Sequence, residues 1–226
     1  MLPHVKSWPA YKPKLPGLVS YKPPGLLTLK FHYKIPMSHT PETLVQLFNQ
    51  TFIPSHNTQL ICCEEEPIYR PADAQHPHHR IIFAHGFFAS ALHEIAHWCV
   101  AGKERRLLED FGYWYEPDGR SAERQAEFEK VEVKPQALEW IFSQSAGFTF
   151  HFSADNISLN NQPSPSFQQA VYNQVQSYLN NGLPNRATTW SQTLLAHYRP
   201  GELLQLGEFI KPNIIDNTTE NAIQNA

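Results

Sequence analysis

The sequence predicts a single α+β domain in which helices pack a small mixed β-sheet. Two short apolar runs, at residues 58–63 and 80–84, have the length and composition of strands. Two longer stretches, at residues 123–147 and 167–179, repeat apolar side chains at helical spacing. With 226 residues, 41% of them hydrophobic, the chain is long enough to bury the core of one ordinary domain.

The remaining elements follow from local signals along the chain. Thr40 suits the N-cap of a first helix and Pro41 its first position. Pro135 interrupts the helical stretch 123–147 and is expected to kink or restart it. Extended segments are also predicted at residues 68–69, 107–120 and 148–152, and a last amphipathic helix at residues 188–198.

The two ends differ in composition from the domain, which is predicted to span residues 37–211. Residues 1–36 hold seven prolines and six lysines but no acidic residue, so they are predicted to be a disordered extension. Its charge also suits a tether to an anionic partner such as RNA. One hypothesis is that translation naturally starts at Met37; a native intact mass beginning at Met1 would contradict it. Residues 212–226 are rich in Asn, Thr and Gln and are predicted to be a disordered tail.

Composition disfavours several classes of protein. A net charge of −3 is too small to indicate a nucleic-acid-binding surface, and no apolar run is long enough to cross a bilayer. The N-terminus lacks the apolar core of a secretory signal. The three cysteines contain no CxxC pair, so a disulfide framework is not expected. A cytoplasmic protein without membrane or direct nucleic-acid partners is therefore expected.

The sequence His93-Glu94-Ile95-Ala96-His97 is the strongest functional signal. Histidines four residues apart on a helix lie on the same face, where two imidazoles can bind one metal ion. The flanking residues are mostly apolar, which predicts an interior helix whose histidines need polar partners. Core histidines held by hydrogen bonds would be the alternative.

The spacing leaves the metal and the reaction open. The long metzincin motif is excluded because Val100 and Lys103 occupy its Gly and His positions. Zinc with Glu94 as general base would give a peptide hydrolase, whereas two histidines and a carboxylate also describe non-haem Fe(II) oxygenases. Glu132 is the first candidate for that carboxylate, and Glu139 the second, because both lie on the same stripe of the predicted helix.

Residues 107–120 combine adjacent aromatic side chains with a Pro-Asp-Gly turn signal. The segment is either a hydrophobic clamp with surface charges or a loop that lines a substrate site over the metal. The candidate substrate-binding residues are Asp110, Tyr113, Trp114, Tyr115, Asp118 and Arg120.

Several segments together resemble the bacterial elongation factor P hydroxylase family. They include RIIFAHGFFASALHEIAHWCVAGKERR and FEKVEVKPQALEW, and the resemblance covers about residues 40–209. The remaining segments are EPIYRPADA at residues 66–74, DFGYWYEPDGR at residues 110–120 and, more weakly, SADN at residues 153–156. The Pro-rich extension is not part of the family pattern.

The resemblance implies an oxidoreductase that hydroxylates the β-lysyl-modified lysine of elongation factor P, with Fe(II) and molecular oxygen. It implies a two-histidine, one-carboxylate set, here His93, His97 and Glu132, and a fold similar to that of a metal-dependent endoribonuclease of rRNA maturation. Glu94 would then orient a ligand or hold metal-bound water. The sequence offers no arginine motif for 2-oxoglutarate. A zinc-dependent hydrolase, or a metal-dependent RNase using Arg105 and Arg106, stays open.

Overall fold

A computed structural model describes residues 38–110, 120–154 and 163–213. Within these ranges the chain forms five α-helices and one three-stranded sheet, which confirms the predicted α+β class. The strands are β1 (Thr58–Glu64), β2 (Ile68–Arg70) and β3 (His79–Ala84). The helices are α1 (Pro41–His56), α2 (Phe88–Val100), α3 (Ala122–Ala146), α4 (Pro165–Asn181) and α5 (Asn185–Tyr198), with short 3₁₀ turns at Arg105–Leu107 and Leu206–Glu208.

The sheet is mixed, with β3 at its centre. Strand β1 pairs with β3 in parallel and β2 pairs with its other edge antiparallel. Ile81, Ile82 and Phe83 of β3 are all buried, as expected of a central strand with both edges paired. The register of β1 shifts after Cys62, and the sulfur atoms of Cys62 and Cys63 are joined. A bond between neighbouring residues closes no long loop, so it does not form a disulfide framework.

Helix α1 covers the sheet with one apolar stripe. Thr40 caps it by accepting a hydrogen bond from the backbone of Thr43 at 3.2 Å, as the sequence predicts. Phe48 and Phe52, one turn apart, are fully buried and pack their rings against Trp98 of α2 and Trp190 of α5. This aromatic cluster ties α1, α2 and α5 into one core.

A tight turn joins β3 directly to α2. His85 and Gly86 both adopt left-handed backbone conformations, with φ of 57° and 70°. A Cβ atom at Gly86 would lie 3.1 Å from Sγ of Cys63, so the close approach of β1 also favours glycine here. The start of α2 is therefore set by the end of the central strand.

Two arginines hold the other end of α2. Nη2 of Arg186 donates to the carbonyl oxygens of Trp98, Cys99 and Ala101 at 2.8, 3.1 and 2.7 Å. Nη1 of Arg106 donates to the Ala101 carbonyl at 2.6 Å, and the Arg186 guanidinium also lies 4.8 Å from the centre of the Trp98 ring. Positive charge is favourable at a helix C-terminus, and these donors satisfy carbonyls that the helix leaves unpaired.

Helix α3 is continuous from Ala122 to Ala146 and packs against α2, α4 and α5. Pro135 lies inside it without ending it, so of the two outcomes predicted at this proline, a kink or a restart of the helix, the restart is wrong. Gly147, with φ of 66°, ends the helix in a left-handed conformation. Although α3 has 25 residues, neither it nor any other described helix is both long and apolar enough to span a bilayer.

The strand predicted at residues 148–152 is absent, and the extended segment predicted at residues 107–120 falls mostly on residues 111–119, outside the described part of the chain. Among the described residues of that segment, Asp110 pairs with Tyr69 through an isolated bridge, just after the 3₁₀ turn Arg105–Leu107. Residues 148–152 alternate aromatic and polar side chains, but Phe150 and Phe152 pack on Trp140 and the segment joins no sheet. Alternation of aromatic and polar residues indicates that a segment has two chemically different faces. A strand also needs a neighbouring strand to pair with its backbone, and this segment has none among the described residues.

We predict that Arg186→Met lowers the free energy of unfolding by about 1.5–3 kcal/mol, the usual contribution of a hydrogen bond from a charged group. Helix α2 would lose three contacts at its C-terminus. The matched control is Lys130→Met on the exposed side of α3, which removes the same charge and should change stability by less than about 0.5 kcal/mol. Urea unfolding of the metal-free protein measures both, and equal effects would contradict this account of the helix end.

Candidate metal centre

Helix α2 brings His93 and His97 together on one face. The opposite side of the helix is buried through Leu92, Ile95 and Cys99, which fixes the direction of the histidine face. The Nε2 atoms of the two imidazoles lie 3.0 Å apart, and their side chains remain 27% and 18% exposed. The prediction that His93 and His97 lie on the same face of one helix is thus confirmed, and their Nε2 atoms point toward each other.

Helix α3 supplies a carboxylate to the same point. Glu132 is 2% exposed, and its Oε1 atom lies 3.3 Å from Nε2 of His97 while Oε2 lies 3.7 Å from Nε2 of His93. One potential ligand atom from each of these three residues lies within 4.8 Å of the others. In the described parts of the chain, no other group of His, Cys, Asp or Glu has geometry suited to a metal ion.

The donor atoms fit a cation chemically as well as geometrically. Oε2 of Glu132 is buried and has no hydrogen-bond partner among the described residues. A buried carboxylate oxygen without a partner is costly, and a cation between the three side chains would satisfy it. Two imidazole nitrogens and one carboxylate oxygen suit both zinc and iron(II).

Electrostatics in the cluster favour positive charge at its centre. Burial by itself lowers the pKa of His93, but its hydrogen bond to Glu139 and the nearby carboxylate charges outweigh burial and raise this pKa to about 10. Burial opposes ionisation of Glu132, yet the charges of His97 and His93 keep the pKa of that carboxyl lowered. Burial raises the pKa of Glu94, partly offset by the two imidazoles.

Glu139 contacts the histidine pair from a different side than Glu132. Its Oε2 atom lies 2.8 Å from Nδ1 of His93, whereas the nitrogen that faces His97 and Glu132 is Nε2. The carboxylate is also well buried, at 7% exposure. The structure therefore separates the two glutamates that sequence reasoning proposed as alternatives for one position.

A pocket adjoins the histidines on the flank of α2. Glu94 lies in its wall, and its carboxylate has no hydrogen-bond partner among the described residues, while His97 borders both the pocket and the convergence point of the metal-ligand candidates. The apolar part of the wall comes from the sheet and from the last turn of α2. The pocket is lined by Tyr69, Ile81, Glu94, His97, Trp98, Val100, Ala101, Arg105, Arg106 and Asp110.

Asp110 also lines this pocket, but its carboxylate already binds Arg105 through Nε and, at 2.7 Å, Nη2. Tyr69 anchors the same turn, because its hydroxyl donates to the Arg106 carbonyl at 3.0 Å and its backbone pairs with Asp110. Sequence reasoning missed Tyr69 as a wall of the pocket. A single backbone bridge between distant segments leaves no pattern in the sequence.

The other predicted substrate residues fall into two groups. Arg120 is buried, with its guanidinium 4.0 Å from the centre of the Phe128 ring and its Nε donating to Gln125 at 3.2 Å, so it does not line the pocket. Its charge contributes to the lowered pKa of Glu132. Tyr113, Trp114, Tyr115 and Asp118 lie outside the described residues.

Arg105 and Arg106, the basic pair on which the RNase alternative rested, are engaged within the protein. Arg105 pairs with Asp110, and Arg106 donates to the end of α2. The structure thus gives both side chains a role in holding the turn beside the pocket.

Comparison with known proteins extends this picture. The pattern of the elongation factor P hydroxylase family matches residues 47–209, which include all three convergent side chains of the candidate metal centre. A Haemophilus influenzae protein named "Elongation factor P lysine hydroxylase" is 56% identical over 173 residues, which cover 76% of this chain and 97% of that protein. The chain therefore belongs to the elongation factor P hydroxylase family and is an enzyme of the oxidoreductase class.

Proposed function

We propose that this enzyme hydroxylates the β-lysyl-modified lysine of elongation factor P, using iron(II) held by His93, His97 and Glu132. The observation that carries the proposal is the convergence of these three side chains within 4.8 Å, in a chain 56% identical to a protein named for this activity. Bound iron would supply the redox chemistry by which dioxygen oxidises an unactivated C–H bond, which side chains cannot do. The reaction converts C–H to C–OH with one oxygen atom of O₂. The other oxygen atom leaves as water, formed with two electrons from a reductant and two protons.

The three ligands leave room for the substrate because they approach from two helices only. His93 and His97 come from α2 and Glu132 from α3, and the flank of α2 that holds Glu94 faces the pocket. Three ligands on one side of a metal leave open positions for other reactants. The pocket beside His97 is the proposed route by which the lysine derivative reaches the site.

The wall of the pocket suits an aliphatic side chain with an amino group. Ile81 and Val100 offer apolar surface to a methylene chain, and Trp98 offers an aromatic ring. Asp110 is neutralised by Arg105, so the carboxylate available to an ammonium group is that of Glu94. In this proposal Glu94 binds the substrate, and the role of general base in peptide hydrolysis is not assigned to it.

We expect mass spectrometry to show a gain of one oxygen atom on the modified lysine when β-lysylated elongation factor P is incubated aerobically with this protein, iron(II) and a reductant. The double variant His93→Ala/His97→Ala should lose the product completely, since two ligands are gone. His151→Ala, at an exposed histidine away from the site, should retain it. The absence of product with metal-loaded wild-type protein would overturn the proposed function.

Glu94→Gln separates the hydroxylase from a zinc hydrolase. We expect the variant to keep its metal and to hydroxylate with KM raised roughly 10- to 100-fold, because a hydrogen bond to a charged group contributes about 1.5–3 kcal/mol. A hydrolase that uses Glu94 as its base would instead lose turnover with KM little changed. The measurement is steady-state kinetics with metal content determined in parallel; peptide cleavage by wild-type protein that Glu94→Gln abolishes would favour the hydrolase.

A further inference from the structure

We propose that Glu139 is a positioning residue of the metal centre, which holds His93 through Nδ1 so that Nε2 is presented to the metal. The inference rests on the metal centre proposed above and assigns Glu139 a role outside the ligand set. It makes the site a group of four side chains, in which three bind the metal and one orients a ligand.

The inference assigns a proton to Nδ1 of His93. Oε2 of Glu139 lies 2.8 Å from Nδ1, and a carboxylate that accepts a hydrogen bond there pairs with the Nδ1–H tautomer of the imidazole. When the imidazole is neutral, Nε2 is then left with its lone pair. That is the nitrogen facing Glu132 at 3.7 Å and His97 at 3.0 Å, so the lone pair points to the convergence of the ligands.

The same geometry places Glu139 away from the metal. Nδ1 and Nε2 lie on different edges of the imidazole ring, and Glu139 contacts the edge that faces away from Glu132 and His97. Glu132 and Glu139 are seven residues apart, or about two turns of α3, so both face α2 at different heights. The Glu132 carboxylate therefore lies at the point where the ligand atoms converge, and the Glu139 carboxylate contacts the other nitrogen of the His93 ring.

His93 needs such support more than His97 does. His97 lies in the last turn of α2, whose end is held by Arg186 and Arg106. Among the described residues, Nδ1 of His97 has no hydrogen-bond partner, whereas Nδ1 of His93 has the buried Glu139 carboxylate. A hydrogen bond at the second nitrogen of a ligating histidine fixes ring orientation and raises ligand basicity, and its loss commonly costs 10- to 100-fold in metal affinity.

The test measures metal affinity without any turnover. Cobalt(II), a visible-light probe for this kind of site, is titrated against wild-type protein, Glu139→Leu, Glu139→Gln and Glu132→Gln. We expect roughly 10- to 100-fold weaker binding in Glu139→Leu and a smaller loss in Glu139→Gln, whose amide oxygen can still accept from Nδ1. Glu132→Gln, which removes the charge of a direct ligand, should bind more weakly than either.

The matched control is Glu129→Gln, a carboxylate on the same helix. Glu129 accepts hydrogen bonds from the backbone and hydroxyl of Ser164 at 3.0 and 2.6 Å, at the start of α4. This variant should leave cobalt affinity at the wild-type value even if unfolding of the metal-free protein by urea shows lower stability. In the zinc-loaded protein, nitrogen-15 NMR should show a slowly exchanging Nδ1 proton on His93 that Glu139→Leu removes.

Three results would overturn the proposal. Wild-type affinity in both Glu139 variants would show that the carboxylate does not position the ligand, and a loss as large as that of Glu132→Gln would make Glu139 a ligand itself. A wild-type protein that binds no cobalt would remove the metal centre and this inference with it. Hydroxylation of elongation factor P by wild-type protein is scored separately, so the proposed function can stand while the role of Glu139 fails.

Discussion

The contact on which the site depends is the burial of two α3 carboxylates against the imidazoles of α2. Glu132 and Glu139 are 2% and 7% exposed, and a carboxylate at such depth is stable only when paired. Each contacts an imidazole on α2, Glu132 at Nε2 and Glu139 at Nδ1. Because Glu132 and Glu139 lie two turns apart, a rotation of α3 would break both contacts together. The residues that form the site therefore also fix the register of the two helices.

The rest of the fold keeps α2 still at each end. At its start, the short left-handed turn at His85 and Gly86 joins α2 to the central strand. At its end, Arg186 and Arg106 donate hydrogen bonds to its last carbonyls from other parts of the chain. Residues on a helix held at both ends keep their positions better than residues on a loop, which suits side chains that must converge on one atom. Arg186 thus supports the site indirectly, because it holds the end of the helix that carries both histidines.

The sequence carries some of these features and not others for physical reasons. Helical periodicity alone places His93 and His97 on one face, and an unusual glutamate between apolar residues marks Glu132 as a candidate. Which nitrogen of His93 each glutamate meets depends on how α3 lies across α2, and periodicity within one helix holds no information on that packing. The segment 148–152 fails for a related reason, since its alternation reflects rings that pack on Trp140 and the backbone finds no partner strand. That both ends are disordered, and the bounds of the domain between them, stay predictions.

Ligand set and reaction class are separate properties of this site. Two histidines and a glutamate would hold zinc as readily as iron, so the three donor atoms do not by themselves choose between hydrolysis and oxidation. The surroundings of Glu94 bear on that choice. A general base for hydrolysis must be within reach of a metal-bound water, whereas a carboxylate in an apolar wall with an aromatic neighbour suits an ammonium group. Glu94 lines the same pocket as Ile81, Trp98 and Val100, and the pocket's Asp110 is paired with Arg105. Glu94 is thus a carboxylate in the pocket wall that, within the described part of the chain, forms no salt bridge with an arginine, and this is why it is proposed to bind the ammonium group of the substrate.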